Sequence, residues 1–197
     1  MEERFHLWTL DPDAMIGRNQ YGYQIKLRPF MGVMGMPPPE PGLHPSWPPR
    51  IWGGNIDCKE LVAGSTLYLP IPVPEGLFSV GDGHAVQGDG EVGSTAIECP
   101  MERVELTFSL DGMFDLKTPY ANTPAGWITM GFHQDLREAS MIALDAMLTL
   151  IGKQYALSRQ DAMALASLVV DLHITQLVNA GVLGVHAILP HGSILSS

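Results

Sequence analysis

The stretch Gly81-Asp82-Gly83-His84-Ala85-Val86-Gln87-Gly88-Asp89-Gly90-Glu91-Val92-Gly93 places three carboxylates, one imidazole and five glycines in thirteen residues. Glycine permits positive φ, so polar side chains can be aimed where an ordinary turn would not put them. Asp82 and His84 are two residues apart, as are Asp89 and Glu91, and on extended backbone each pair shares a face. Imidazole and carboxylate on one face suit zinc or a similar cation. The same residues also read as two hairpin turns, because Asp-Gly recurs at 82–83 and 89–90 and is a strong turn signal. Other phosphate and metal motifs are excluded. There is no Gly-Lys-Ser/Thr, no helical pattern directly follows the glycines, and the spacing does not fit an EF-hand loop.

A second constellation is Gly53-Gly54-Asn55-Ile56-Asp57-Cys58. Asp57 is a candidate metal ligand. Asn55 is either a donor to a carbonyl oxygen or a turn residue. Nothing near Cys58 would lower its pKa, so it reads as a buried structural thiol. His6, His133, His186 and His191 are isolated in sequence and read as structural or solvated, whereas His173, close to Asp171, is of more interest.

These groups must be held by a scaffold that reads as β before residue 131 and helical after it. Alternation predicts strands at 23–28, 67–71 and 103–110, the last being the most regular, with shorter ones at 77–80, 94–99 and 127–131. Residues 36–50 carry seven prolines, which exclude helix and central strand. Trp47 and Trp52 offer apolar surface to anchor that segment as an ordered loop rather than a linker. Asp135 with Glu138 opens one helix, with Leu136, Ser140, Ala143, Met147 and Ile151 on one face and Gly152 after it. Ser158 with Asp161 opens a second helix, apolar nearly all round and therefore expected to be deeply packed. Residues 172–178 extend that helix or form a strand, and 182–189 read as a final strand. The expectation is an α+β domain spanning 1–197. Its β-rich part, 1–131, is sandwich or barrel-like; two packed helices and a last strand occupy 132–197.

Composition narrows the partners. The chain has 197 residues, 46% hydrophobic and 16% charged, enough for a substantial core and too apolar for disorder. With 11 Lys and Arg against 21 Asp and Glu the net charge is -10, the wrong sign for a phosphate-backbone or anionic-membrane partner. The opening residues carry no apolar leader, no run is long enough to span a bilayer, and two cysteines make no disulfide framework. A cytoplasmic protein with reduced thiols is expected.

Several segments together resemble the acetamidase/formamidase family. They are Arg28-Pro-Phe-Met-Gly-Val-Met-Gly35, Pro49-Arg50, Gly53-Gly-Asn-Ile-Asp57, Leu61-x-x-Gly64-Ser-Thr-Leu-Tyr-Leu-Pro70, Leu77 to Val92, Thr95-Ala-Ile-Glu98 and Asp171-Leu-x-Ile-x-Gln176. The resemblance implies hydrolysis of small aliphatic amides to an acid and ammonia at a metal-assisted site, with zinc or calcium as the metal. Laid over these segments, the chemistry makes Asp57 and His84 the first ligand choices and Asp82 the next. Glu91 is the expected general base, with Asp89 and Glu98 as substitutes, and Asn55 or a nearby glycine N–H would stabilise the oxyanion. Gly93-Ser94 stands where the family usually has Cys-Gly. Family members also carry a β-rich segment ahead of the matched region. The chain is therefore expected to be a shortened relative, a fragment or one part of a larger assembly, and to form a homo-oligomer. The alternative to catalysis is a non-catalytic metal- or ligand-binding module.

Overall fold

The computed structural model describes residues 4–112, 115–179 and 181–195. Met1-Glu2-Glu3 lies outside them.

Three antiparallel sheets carry the fold. Strands β1 (Trp8–Asp11), β2 (Ile16–Asn19) and β3 (Gln24–Lys26) form a small meander, of which only β3 was legible as alternation. β4 (Phe30–Gly35) and β5 (Gly53–Asn55) belong to a second sheet, separated by the proline-rich segment. Within that segment Trp47 is exposed, so the partly buried Trp52 is the better anchor. β6 (Thr66–Tyr68) lies at the edge of the third sheet. β7 (Ser79–Val86) returns to the second sheet, which has the order β5-β4-β7-β8 with β8 at Ile97–Glu98. β9 (Tyr120–Thr123) and β10 (Gly126–His133) precede helices α1 (Leu136–Tyr155) and α2 (Arg159–Val169). β11 (Asp171–Gln176) and β12 (Leu183–Pro190) complete the five-stranded sheet β11-β12-β10-β9-β6.

The five-stranded sheet is buried on both faces. One face meets the helices through Ala143, Met147, Ile151, Val185, Ala187 and Leu189. The other meets the β4 sheet through Met34, Ile56, Leu61, Ile128, Met130 and Ile188. This is the expected α+β arrangement. α1 rests directly on β10: a Cβ on Gly131 would lie 2.0 Å from the Ala139 carbonyl oxygen, so only glycine permits the approach. Thr129 Oγ1 donates to the Ala143 carbonyl at 2.7 Å and ties the same two elements.

Both helix starts form as their sequences dictate. Asp135 accepts from the Glu138 N–H, and Ser158 from the Asp161 N–H. α1 runs past Gly152 and ends on Ala156 in the left-handed region.

Two expectations fail. Residues 103–110 form no strand, and Val104, Leu106, Phe108 and Leu110 are exposed, Leu110 by 89%. Alternation supplies a face, but a strand also needs a neighbour to complete its hydrogen bonds. α2 is not deeply packed. Only Ala162 and Ala166 are buried and Leu168 is exposed, because a single face meets the sheet and α1. Residues 81–86, which read as either extended backbone or a hairpin turn, are strand β7, the second strand to line β4.

Candidate metal centre

Asp82 and His84 project from the same face of β7, as their spacing predicts, and β4 and the end of β5 bring Asp57 to meet them. One ligand atom from each of Asp57, Asp82 and His84 lies within 4.8 Å of the others. His84 Nε2 is 3.3 Å from Asp82 Oδ2 and 4.0 Å from Asp57 Oδ1. The floor is Gly32 of β4. A Cβ there would come within 2.6 Å of both Asp57 Oδ1 and Asp82 Oδ2. The Gly32 carbonyl accepts from the N–H groups of Ile56 and Asp57 at 3.0 and 3.1 Å, which fixes Asp57 over the strand.

The backbone is unusual at each carboxylate. Asp57, Asp82 and Glu91 have φ of 50°, 60° and 46°, left-handed values that non-glycine residues seldom adopt. Such conformations persist where the surroundings over-determine them, and they cluster at functional sites.

Neighbouring amides orient the ligands. The Gln87 side-chain N–H donates to the Asp57 carbonyl at 2.7 Å, which turns Gln87 Oε1 toward His84 Nδ1 at 2.9 Å. Asn179, on the loop after β11, donates to Asp57 Oδ2 and to the Asn55 carbonyl. Gln176 Oε1 holds that loop by accepting from the Val178 and Asn179 N–H groups at 2.8 and 2.9 Å. Asp57 Oδ1 remains buried with no hydrogen-bond partner. Burial raises the Asp57 carboxyl to about 6 although the Asn179 hydrogen bond opposes the rise.

Glu91 is also buried, and its Oε2 has no hydrogen-bond partner. Burial first, and the Asp57 charge second, raise it to about 7. Asn55 is tied to the centre by its backbone carbonyl. Cys58 is wholly buried and burial pushes its thiol up to about 12, in keeping with a structural role. Asp89 does not share a face with Glu91, because the chain turns between them. It contacts Lys59 and His173 instead. His84 stands on β7 rather than in a hairpin turn, and is a 1% exposed core residue with its ring against Phe30. His186, expected to be isolated, is likewise buried and stacked on His173.

Residues 44–122, which carry Asn55, Asp57, Asp82, His84 and Glu91, match the Acetamidase/Formamidase family. A formamidase of Methylophilus methylotrophus is 53% identical over 45 residues, 23% of this chain and 11% of its own. The crystal structure of an acetamidase from Bacillus halodurans superposes with a TM-score of 0.76 at 30% identity, covering 89% of this chain and 59% of that one. The chain resembles the acetamidase/formamidase family, in sequence over residues 44–122 and in fold over most of its length. An acetamidase of Yersinia enterocolitica has the same fold, with a TM-score of 0.80 at 25% identity over 93% of this chain and 54% of its own. The chain thus spans little more than half the length of these solved family members. Gly32, Gln176 and Asn179 lie outside the matched segment. No local motif announces Asn179, whose partner Asp57 is 122 residues away. Gln87 did lie within the motif, without any sign of its two contacts.

Proposed function

We propose that this chain hydrolyses small linear amides of the formamide or acetamide kind, using water and releasing a carboxylic acid and ammonia. The observation that carries this reading is the buried, unpartnered Asp57 Oδ1 converging with Asp82 and His84 inside the family-matched segment. These residues fit a divalent cation: two carboxylates and one imidazole line a cradle that a single Cβ on Gly32 would fill. The imidazole favours zinc over calcium, which prefers oxygen alone. A divalent cation held by Asp57, Asp82 and His84 would polarise an amide carbonyl and acidify water.

The chain's own groups have separable tasks. Gln87 fixes the His84 ring with Nε2 toward Asp82, and Asn179 holds Asp57 so that Oδ1 faces the cradle. Glu91, raised to about 7, is poised to take a proton from the attacking water and return it to the leaving nitrogen. Asn55 is the candidate donor to the developing oxyanion.

The test is ammonia release from formamide, acetamide and propionamide by the full chain, with zinc, with calcium and with chelator. Glu91→Gln should keep the metal and lower turnover by roughly two to four orders of magnitude. Turnover within a few-fold of the parent would remove Glu91 as the base. Because the chain spans 59% and 54% of the two solved acetamidases, the second reading is a binding module or one part of a larger amidase assembly. Bound metal with no ammonia from any of the three amides would favour it. Two cysteines outside any disulfide accord with a cytoplasmic setting. Among the described residues no helix is long and apolar enough to cross a membrane.

A further inference from the structure

A second group of ligand-type side chains lies where the turn after β7 meets β11 and β12. Asp89 Oδ2 is 2.9 Å from His173 Nδ1 and 2.7 Å from Lys59 Nζ. His173 and His186 face each other across the β11–β12 ladder, their rings stacked with centroids 5.1 Å apart and an interplanar angle of 11°. One ligand atom from each of Asp89, His173 and His186 lies within 4.8 Å of the others.

The deciding feature is the buried ring. His186 is 0% exposed. Its Nδ1 pairs with Thr175 Oγ1 at 2.8 Å, while Nε2 is buried and has no hydrogen-bond partner. A buried polar atom left unmet is costly and calls for a partner. The Thr175 contact is of the kind that fixes the tautomer of a ligating histidine from its far side.

We propose that Asp89, His173 and His186 form a second divalent-metal site, distinct in its residues from Asp57, Asp82 and His84. Two imidazoles and one carboxylate are the donors of zinc, cobalt and nickel, not of calcium or magnesium. Ligands about 2.1 Å from a tetrahedral ion stand roughly 3.4 Å apart, so the three side chains close in modestly on binding. Lys59 is the built-in competitor. Its ammonium occupies the Asp89 carboxylate, and its side chain, 24% exposed, has a route to solvent when a cation takes its place. The ion would pin the turn that carries Glu91 to the β11–β12 pair, where the Gly90 N–H already donates to the Ile174 carbonyl at 2.8 Å.

The experiment is a cobalt(II) titration of the full chain near neutral pH, followed by visible absorption and by metal counting after dialysis. His173→Gln, at a partly exposed position, should weaken one class of binding by at least 100-fold and erase its absorption, leaving any other class intact. Lys59→Met should tighten the same class by about tenfold, because it removes the competing charge. An unchanged cobalt spectrum and stoichiometry in His173→Gln would overturn the site, as would weaker binding in Lys59→Met. Imidazole nitrogen NMR of the unmodified chain with zinc gives a readout independent of any variant's folding. The His173 and His186 resonances should move to ligated positions, and unmoved resonances would overturn the proposal whatever happens at His84.

Discussion

Gln87 and His84 are bound side chain to side chain, with Gln87 Oε1 2.9 Å from His84 Nδ1 inside the core. The Asp57 carbonyl can only accept, so it takes the Gln87 amide N–H and leaves the amide oxygen for the imidazole. Nδ1 of His84 therefore carries a proton, and Nε2, on the side facing Asp82, is the ring nitrogen left for a cation.

Gln87→Leu should weaken zinc binding by about 10- to 100-fold, the usual consequence of removing a partner behind a ligating histidine. It also strands the buried Asp57 carbonyl, at a cost of about 1–3 kcal/mol. Isothermal titration and urea unfolding of the same samples separate the two effects. Unchanged zinc affinity would free the His84 tautomer from Gln87.

Gly32→Ala tests the cradle. The added methyl would meet Asp57 Oδ1 and Asp82 Oδ2 at 2.6 Å, and these are side-chain ends that can move aside. The expected result is zinc affinity lowered by at least 100-fold, with stability reduced by less than about 2 kcal/mol. Equilibrium dialysis at fixed zinc and thermal unfolding check the pair.

Glu91 predicts a pH dependence in the metal-free chain. Its folded value of about 7 lies above the ordinary 4.5, so the folded state binds more protons than the unfolded state between those values. The stability this group contributes is present below about pH 4.5 and is lost as pH rises through about 7. Glu91→Gln has nothing to ionise. It should gain on the parent by on the order of 2–3 kcal/mol between about pH 4.5 and pH 8. Urea unfolding in chelator at both pH values measures this, and a difference independent of pH would contradict the raised value.

Gly131→Ala should destabilise the fold severely, by more than about 3 kcal/mol, because the new methyl meets α1 backbone at 2.0 Å and no side-chain movement relieves it. The urea midpoint should fall accordingly, with the helix lifted from β10. A loss below about 1 kcal/mol would mean that α1 can shift along the sheet.

Self-association is expected because β11 is a sheet edge that exposes Leu172 and Ile174. Sedimentation at micromolar concentration should reveal a species heavier than the 21.4 kDa chain. A clean monomer would count against the proposed homo-oligomer.

Local physics was legible in the amino-acid order wherever both partners sit within a few residues. The Asp135 and Ser158 caps need only the N–H groups three residues on. The shared face of Asp82 and His84 needs only extended backbone. Even the divide between the β-rich part and the helices follows from changes of period that short windows carry. Long-range partners decided the rest. Residues 103–110 have the alternation of a strand but no neighbouring strand to pair with, so they form none. Asp89 and Glu91 look equivalent in sequence, yet the turn between them sends one to Lys59 and His173 and the other toward Asp57. Asn179 meets Asp57 only because the loop after β11 folds back onto the end of β5. His186 becomes a candidate ligand only when β12 sets it beside His173, with Asp89 delivered from a turn roughly half the chain away. A side chain's neighbours within a turn or a pleat follow from backbone geometry, whereas neighbours drawn from distant segments exist only once the sheets have paired and buried them.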